Sequence, residues 1–406
     1  MHKPSCGQIK SRTTKMAAQL STSAAVAAAD DTWSKLPADL LGEVYGRIVS
    51  PLDRVRFTVV CRSWRVVKSR QQPAPTLPWL IFSSYHGGAM RVFCPMDGVS
   101  LRLQLPPEAV HNRLVGFHDG GWIAAASSRD GGAGDWLTIV NLYSGVEAPL
   151  SAKQRATPYM DKLVCSERPT SNRCIIAVTT AGLAVCKVGC RNHNWWRSRE
   201  RNHYYDIAFY DGKLCGLLRR SLQIYTISMT KNSDLVVSIT YELDMNQLPK
   251  CVGSDDVSYI FKHGDRMLMA KRAQWTTVQN RLFFKVFELI KNTRYDYSWV
   301  EVTTLDDHAL FLSTNCSKMV YVPADRRGGV ERNHIYYNHL NLPGDTNRIC
   351  NDVQLMKCHY SEHLYCRKDK KINGVDRIKS TGYYRTSNYN ITNDSAGLMW
   401  LLPPEF

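Results

Sequence analysis

The chain has 406 residues, of which 44% are hydrophobic and 22% are charged. This composition is typical of globular domains and excludes a disordered chain, and the length suits two domains or one large one. No apolar run approaches the roughly 20 residues of a membrane span. The most apolar run, residues 174–186, is interpreted as a buried strand, so we expect a soluble protein with no membrane partner.

The chain is basic, with 52 Lys and Arg against 36 Asp and Glu and a net charge of +16. A basic protein suits a nucleic acid, an anionic membrane or an acidic protein as its partner. The charge is spread along the chain, and the densest run, residues 366–380, also holds two Asp residues. This run is more typical of a solvated loop than of a nucleic-acid patch.

Thirteen cysteines are scattered along the chain without a C-x-x-C pair, and the N-terminus lacks the apolar core of a signal peptide. Scattered thiols are typical of a reducing compartment. We therefore expect free cysteines and a location in the cytoplasm, the nucleus or both.

Residues 1–31 are rich in Ala, Ser and Thr and carry four Lys or Arg with no acidic residue before Asp30. Such a composition cannot bury a core, so we predict a disordered tail. Organelle transit peptides have similar chemistry, and Met16 is an alternative start.

Residues 32–70 show helical periodicity, starting with Pro37, which suits a first helical position. Two apolar rows follow at helical spacing. Gly42 and Gly46 each lower the stability of the helix by roughly 1 kcal/mol relative to Ala. The rows consist of Leu40, Val44 and Ile48, and of Leu41 and Tyr45. Such a helix is not held by its own propensity, so we expect its apolar surface to be covered.

A second helix is predicted from Ser50 as N-cap and Pro51 at the first position, and a third from residues 60–70. Residues 71–78 contain three Pro and are predicted to be a linker. Three short helices in fewer than 40 residues are too small for an independent core of useful size. Their excess apolar surface is therefore predicted to bind a partner, with a helical cap on the next domain as the alternative.

The segment also contains a series of residues in the order typical of one protein-binding motif. The series is Leu36-Pro37, Leu40-Leu41, Pro51-Leu52, Arg56-Phe57, Val60-Cys61 and Trp64. Residues 33–67 resemble an F-box, which implies docking on the Skp-type adaptor of a cullin-RING ubiquitin ligase. Eight Lys or Arg against three Asp or Glu in residues 35–70 suit an acidic partner. The predicted adaptor-binding residues are Leu36, Pro37, Leu40, Leu41, Val44, Ile48, Pro51, Leu52, Val55, Phe57, Val60, Cys61 and Trp64.

From residue 79 to residue 406, apolar runs of four to eight residues alternate with Gly, Asp and Asn turns, a pattern that predicts strands. Turn signals recur at Asp119, Asp211, Asp265 and Asp307, with gaps of 92, 54 and 42 residues. A four-stranded propeller blade takes about 40–45 residues. We therefore predict a mainly β domain, propeller-like with six or seven blades, with a large sandwich as the alternative.

Several segments of this domain, among them residues 119–127, 206–227 and 299–317, are similar to the C-terminal domain of a large plant family. That domain was catalogued as domain of unknown function 295 and often follows an F-box. The resemblance also implies a propeller-like architecture. Because a propeller must close its ring, we predict that residues 398–402 form a closing strand against residues 79–84.

Residues 192–205 interleave aromatic and Arg side chains, a composition enriched in protein-binding hot spots and suited to stacking on single-stranded nucleic acid. The alternative is that one Trp fills a blade interior and the Arg residues are solvated. The candidate target-binding residues are Trp195, Trp196, Arg197, Arg199, Arg201, Tyr204 and Tyr205.

Two weak metal signals remain. Residues 359–363 fit H-x-x-E-H, but in a strand-rich segment His359 and His363 lie too far apart for one tetrahedral metal. The second signal, Cys186, Cys190 and His193, lacks a fourth ligand.

No catalytic constellation is evident in the sequence, so we expect a non-catalytic protein with no metal and no cofactor. The leading hypothesis is the substrate-recognition subunit of a Skp–cullin–F-box ubiquitin ligase, with an unidentified target. A basic nucleic-acid-associated regulator is the first alternative, and a zinc hydrolase is the second.

Overall fold

The structure is a computed structural model. It describes residues 33, 35–48, 50–67, 77–82, 89–95, 99–109, 112–128, 134–157, 159–189, 195–230, 235–245, 258–274, 282–293, 296–322, 330–338, 354–357, 371–372, 375–376, 379–385 and 399–401. The chain divides into two compact units, with the boundary between Ala74 and Pro75. The predicted tail and linker lie outside the described residues except for residues 77 and 78.

The described residues of the first unit include the helices α1 (Ala38–Arg47), α2 (Pro51–Val60) and α3 (Arg62–Val67). Helix α1 begins one residue later than predicted, because Pro37 has extended backbone and precedes the first turn as the N-cap. The predicted cap of α2 is confirmed, since the Ser50 hydroxyl accepts the Asp53 N–H at 3.3 Å. None of the described helices is both long enough and apolar enough to span a membrane.

The three helices share a small core, which the sequence analysis did not anticipate. Leu41, Tyr45, Phe57 and Val67 are buried together, and the Phe57 ring lies 5.2 Å from that of Tyr45. The Trp64 ring packs 4.4 Å from Phe57. The interleaved aromatic rings explain how so short a unit buries four large side chains.

The second unit is built from small sheets that follow one another along the chain, which we call blades 1 to 6. Each of the first three blades has four strands. Their strands are β1 (Trp79–Phe82), β2 (Ala89–Cys94), β3 (Val99–Gln104) and the C-terminal β27 (Met399–Leu401) in blade 1; β4 (Arg113–His118), β5 (Trp122–Ser128), β6 (Asp135–Asn141) and β7 (Ala156–Thr157) in blade 2; and β8 (Lys162–Cys165), β9 (Ile175–Thr179), β10 (Leu183–Lys187) and β11 (Trp196–Arg197) in blade 3. The parallel pairing of β4 with β8 joins blades 2 and 3 into one eight-stranded sheet. A short helix, α4 (Ala152–Arg155), precedes β7.

Blades 4 and 5 are also four-stranded, and blade 6 is a five-stranded sheet. Their strands are β12 (Asp206–Tyr210), β13 (Lys213–Leu217), β14 (Ser221–Met229) and β15 (Leu235–Asp244) in blade 4; β16 (Ser258–His263), β17 (Arg266–Gln274), β18 (Leu282–Thr293) and β19 (Asp296–Val302) in blade 5; and β20 (His308–Ser313), β21 (Lys318–Tyr321), β22 (His334–Asn338), β23 (Gln354–Lys357) and β26 (Lys379–Arg385) in blade 6. Strands β24 (Lys371–Ile372) and β25 (Val375–Asp376) pair with each other.

The predicted repeat of turn signals is confirmed. Asp119, Asp211 and Asp265 lie in the hairpins between the first two strands of blades 2, 4 and 5, and Asp307 precedes β20. In blades 2, 4 and 5 the strand after the turn is the second strand of its blade along the chain, whereas β20 is the first strand of blade 6. The gap of 92 residues skips blade 3, whose first two strands are joined by the longer connection 166–174.

The fold is therefore a β-propeller, mainly β as predicted, and the described strands make six blades. Blade 6 departs from the repeat, because its strand order is β21-β20-β22-β26-β23 and two of its pairings are parallel. Neighbouring blades approach closely where Gly116 of β4 pairs with Leu163 of β8. A Cβ on Gly116 would collide with the Leu163 carbonyl, so this approach requires glycine.

The C-terminal strand β27 completes blade 1 by pairing antiparallel with β1, and Leu80 lies opposite Trp400. The predicted closure is confirmed for Met399–Leu401. Trp400 is fully buried, and its indole N–H donates to the Leu312 carbonyl at 3.1 Å. Its ring also meets Phe311 edge to face at 4.8 Å. One residue thus joins the blade that begins the ring to the blade that ends it.

A buried charge pair joins three further blades. Lys162 of β8 donates to the Asp206 carboxylate of β12, and this carboxylate also accepts the Ile260 N–H of β16 at 2.8 Å. Burial raises the pKa of Asp206, and the Lys162 ammonium and the backbone N–H donors offset part of this rise. Blades 3, 4 and 5 are therefore held at one point by a desolvated ion pair.

Candidate interaction surfaces

The two apolar rows of α1 have different surroundings. Leu41 is 1% exposed and Tyr45 is fully buried, whereas Leu40 is 53% exposed and Val44 is 48% exposed. Leu40 and Val44 lie one helical turn apart, so they form a continuous apolar row on the surface of the helical unit. The unit's own core leaves this row uncovered.

Further apolar side chains of the helical unit are exposed. Among the described residues of the whole chain, fifteen large apolar side chains are exposed, and six of them belong to this small unit. The six are Trp33, Leu40, Val44, Val59, Val60 and Val66. Concentrated exposed apolar surface is typical of a protein interaction site.

The structure divides the thirteen predicted adaptor-binding residues into groups. Leu41 and Phe57 are buried in the core of the helical unit, where they hold its helices together. Pro37, Leu40, Val44 and Val60 are exposed, and Leu36, Ile48, Cys61 and Trp64 are half-buried. The side chains of Pro51, Leu52 and Val55 lie outside the described part of the structure.

The surface charge of the helical unit is positive on balance, with five exposed Lys or Arg against three exposed carboxylates among its described residues. Arg47 pairs with Glu43 at 3.4 Å, and Arg56 pairs with Asp53 at 2.9 Å. Arg54 does not contribute to this surface, because it is buried and its Nε donates to the Ile48 carbonyl at 2.9 Å.

The aromatic and Arg residues predicted to bind a target do not share one surface. Trp195 is buried in blade 3, where its indole N–H donates to the Gln154 carbonyl at 3.0 Å. Tyr204 is also buried, with its hydroxyl 2.5 Å from that of Tyr225. In this structure both are core residues whose polar atoms have partners inside the propeller.

The rest of this stretch is more accessible. Trp196 and Tyr205 are half-buried, and Arg197, Arg199 and Arg201 are exposed. Of the seven predicted residues, the three cations therefore remain fully available to a partner. The alternative interpretation, in which a Trp fills a blade interior, describes Trp195.

A second aromatic cluster, which the sequence analysis missed, lies between blades 4 and 5. Its half-buried members are Tyr205, Tyr210, Tyr241, Tyr297 and Trp299. The Tyr241 and Tyr297 rings lie 5.0 Å apart, and the Tyr210 hydroxyl donates to the Asp265 carbonyl at 3.2 Å. The alternation of Tyr297 and Trp299 along β19 was the available sequence signal.

A polar cleft of about 90 Å³ lies beside the first hairpin of blade 5, lined among others by His263, Arg266, Asp306 and His308. The two imidazole rings meet edge to face at 4.9 Å. Burial lowers the pKa of His263, and the neighbouring His308 and Arg266 lower it further. Arg266 is paired with Glu288 at 2.5 Å, so its charge is already balanced.

The weak metal signals are only partly covered by the structure. Residues 359–363, Cys190 and His193 lie outside the described residues. Cys186 is buried in the core of blade 3. Within the described ranges, no group of three or more His, Cys, Asp or Glu side chains is arranged to hold a metal ion.

Comparison with known proteins identifies the second unit. A family model described as KIB1-4 beta-propeller matches residues 92–370, which is more than half of the chain. The match does not test the F-box resemblance of residues 33–67 or the domain-295 resemblance, and both stay predictions. No curated protein matches the chain.

Several solved structures match part of the chain. A quinonprotein alcohol dehydrogenase-like protein from Bacteroides thetaiotaomicron is 11% identical, with a TM-score of 0.32, over 56% of this chain and 51% of its own. A putative 6-phosphogluconolactonase from Bacteroides uniformis is 9% identical, with a TM-score of 0.32, over 62% and 69%. The chain thus spans about half the length of the first protein. Both TM-scores lie below 0.5, so these proteins carry no argument about function.

Proposed function

The chain belongs to the KIB1-4 beta-propeller family, and on that premise we propose that it is a non-catalytic substrate receptor of a Skp–cullin–F-box ubiquitin ligase. Residues 33–67 bind the Skp-type adaptor and, through it, a cullin. The propeller binds a target protein for ubiquitination. A location in the cytoplasm, the nucleus or both is part of this proposal.

One observation carries the first half of the proposal, namely the exposed row of Leu40 and Val44 beside a buried row. These two residues belong to the part of the sequence that resembles an F-box. A helix that presents apolar side chains one turn apart is suited to insertion into an apolar groove of another protein. The positive balance of the surrounding surface suits an acidic adaptor and would speed the encounter.

The second half follows from what a propeller and a receptor have in common. A propeller presents a rigid surface with many loops and edges, which suits binding of another protein without chemistry of its own. Binding the adaptor and a target at once raises the effective concentration of the target beside the ubiquitin-carrying enzyme. This role needs no catalytic group in the receptor.

Replacing Leu40 and Val44 together by Glu is expected to weaken adaptor binding at least about 100-fold. Each aliphatic side chain contributes roughly 1.5–3 kcal/mol when buried, and about 1.4 kcal/mol corresponds to a tenfold change in Kd. Both side chains are exposed, so the free protein should keep its fold. The measurement is titration calorimetry of the full chain with a purified Skp-type adaptor.

Glu43→Gln is the matched control, because Glu43 lies on the same helix and its exposed carboxylate pairs only with exposed Arg47 among the ion pairs of the described residues. It should leave the Kd within about twofold. Unchanged adaptor binding by the Leu40→Glu, Val44→Glu variant, with a normal circular dichroism spectrum, would exclude this row as the adaptor site.

A further inference from the structure

The outer strand of blade 4, β15 (Leu235–Asp244), has an open edge. Among the described residues it is the last strand of its sheet and pairs with β14 alone. Its ten residues make it the longest terminal strand of any sheet in the described ranges. Such an edge presents backbone N–H and C=O groups that can pair with an added strand.

The first half of β15 extends beyond the rest of its blade. Strand β13 pairs with β14 only as far as Tyr225, whereas β15 continues the pairing to Met229. Residues 226–229 and 235–239 therefore form a two-stranded extension, which we call the arm. The register shifts at its base, where the Thr240 hydroxyl donates to the Ile224 carbonyl at 3.0 Å.

One face of the arm is fixed against the propeller. Ile227, Leu235 and Val237 are half-buried against the cluster that contains Leu183 and Tyr204. This packing holds the arm in place before any partner arrives, which lowers the entropic cost of binding. Val236 is 42% exposed and Ile239 is 46% exposed, so apolar contacts remain available beside the edge.

The arm lacks the usual protection of an open edge. Proteins commonly protect such edges with charged residues, particularly Lys, or with Pro. None of the nine arm residues is charged or Pro. Beyond the arm, β15 carries Glu242 and Asp244, just as the outer strand of blade 5, β19 (Asp296–Val302), carries Asp296 and Glu301. The uncharged part of the β15 edge is therefore confined to the arm.

The neighbourhood of the arm is positively charged. Strand β11 contacts β15, and its Arg197 is exposed, as are Arg199 and Arg201 just beyond it. Glu200 is the one carboxylate among residues 197–201. A second copy paired edge to edge would bring these cations towards their own equivalents, which disfavours self-association. A partner strand with acidic residues would instead be attracted.

We propose that the β15 edge of the arm adds an extended segment of the target protein as a further strand. The segment has consecutive apolar, β-branched residues in its middle, because Val236 and Ile239 lie on opposite faces of β15, and it has Asp or Glu at an end near Arg197. Backbone pairing supplies the affinity, and contacts with Val236 and Ile239 and with the Arg residues supply the specificity. This inference rests on the proposed function for the identity of its occupant.

The test is selection of a displayed library of random peptides of about twelve residues on the full-length chain. Peptides enriched on the native chain should carry consecutive β-branched residues, which face both sides of the sheet, and terminal Asp or Glu. The enriched peptides, made synthetically, should bind at least about tenfold more weakly to a Val236→Lys, Ile239→Lys variant. N-methylation of alternate peptide nitrogens should also abolish binding, because it removes the donors of a ladder.

Val300→Lys is the matched control, since Val300 is an exposed residue of the outer strand of blade 5, and it should not change peptide binding. The proposal is overturned if selection on the double variant enriches the same peptides. It is also overturned if the peptides still bind after N-methylation. If the native chain is a dimer and the double variant is a monomer, the edge binds a second copy of the chain instead of a target segment. Adaptor affinity is measured in parallel, so a chain that binds these peptides but no adaptor refutes the proposed function alone.

Discussion

Replacement of Trp400 by Ala is expected to lower the free energy of unfolding of the propeller by about 3–5 kcal/mol, the range for a fully buried Trp. The ring fills a site between blades 1 and 6, against Leu80 of β1 and Phe311 of β20. Its loss also leaves the Leu312 carbonyl without the indole donor. This is a large share of the 5–15 kcal/mol that stabilises a typical domain.

The measurement is urea unfolding of the full chain followed by tryptophan fluorescence and circular dichroism. Trp299→Ala is the matched control, because Trp299 is only half-buried, on the outer strand of blade 5, and should cost less than about 2 kcal/mol. Equal effects of the two substitutions would show that Trp400 does not close the ring.

Truncation after Ala396 extends the same argument. It removes β27, so the edge of β1 is exposed together with the apolar surface that Trp400 covers. The truncated chain should keep adaptor binding through residues 33–67 while losing target binding. Intact target turnover and an unchanged melting temperature in the truncated chain would contradict the role of β27.

Asp206→Ala is the second substitution with a large expected effect, about 3–5 kcal/mol of destabilisation. It leaves the Lys162 ammonium buried without its counter-ion, and it removes the acceptor for the Ile207 and Ile260 N–H groups. Most of the expected loss comes from the uncompensated charge rather than from the lost attraction. The effect should therefore depend on whether Lys162 is present.

A double-mutant cycle measures this dependence. Lys162→Met combined with Asp206→Ala should cost clearly less than the sum of the two single substitutions, with a coupling of about 1–3 kcal/mol. The Lys285–Glu301 pair, 3.1 Å apart and partly exposed, is the control and should show a coupling below about 1 kcal/mol. Additive costs for Lys162 and Asp206 would mean that the pair does not join the blades.

Local patterns in the sequence were sufficient to predict much of the fold. Caps and turns depend on neighbours within a few residues, so short-range sequence is sufficient to predict them. Examples are the Ser50 cap and the turns at Asp119, Asp211 and Asp265. The closing strand was predicted for a different reason. A short apolar segment suits a buried strand, and ring closure leaves no open edge at β1.

Other features depend on contacts that no local pattern encodes. The aromatic stretch predicted a binding surface, yet Trp195 is buried because Gln154, distant in sequence, supplies an acceptor inside blade 3. The Lys162–Asp206 pair likewise joins residues 44 positions apart. Helical periodicity placed Leu40 and Leu41 in neighbouring rows, but it does not determine which row is buried in the core of the helical unit. That choice is made by the Phe57 and Trp64 rings of the other helices.

The measurement that tests the central claim most directly is the mass of the complex formed when the full chain is mixed with a purified adaptor–cullin pair. Size-exclusion chromatography with light scattering gives this mass. We predict one particle with one copy of each protein, which the Leu40→Glu, Val44→Glu variant fails to form. Separate elution of a correctly folded native chain at micromolar concentration would contradict the proposal that this protein is a ubiquitin-ligase receptor.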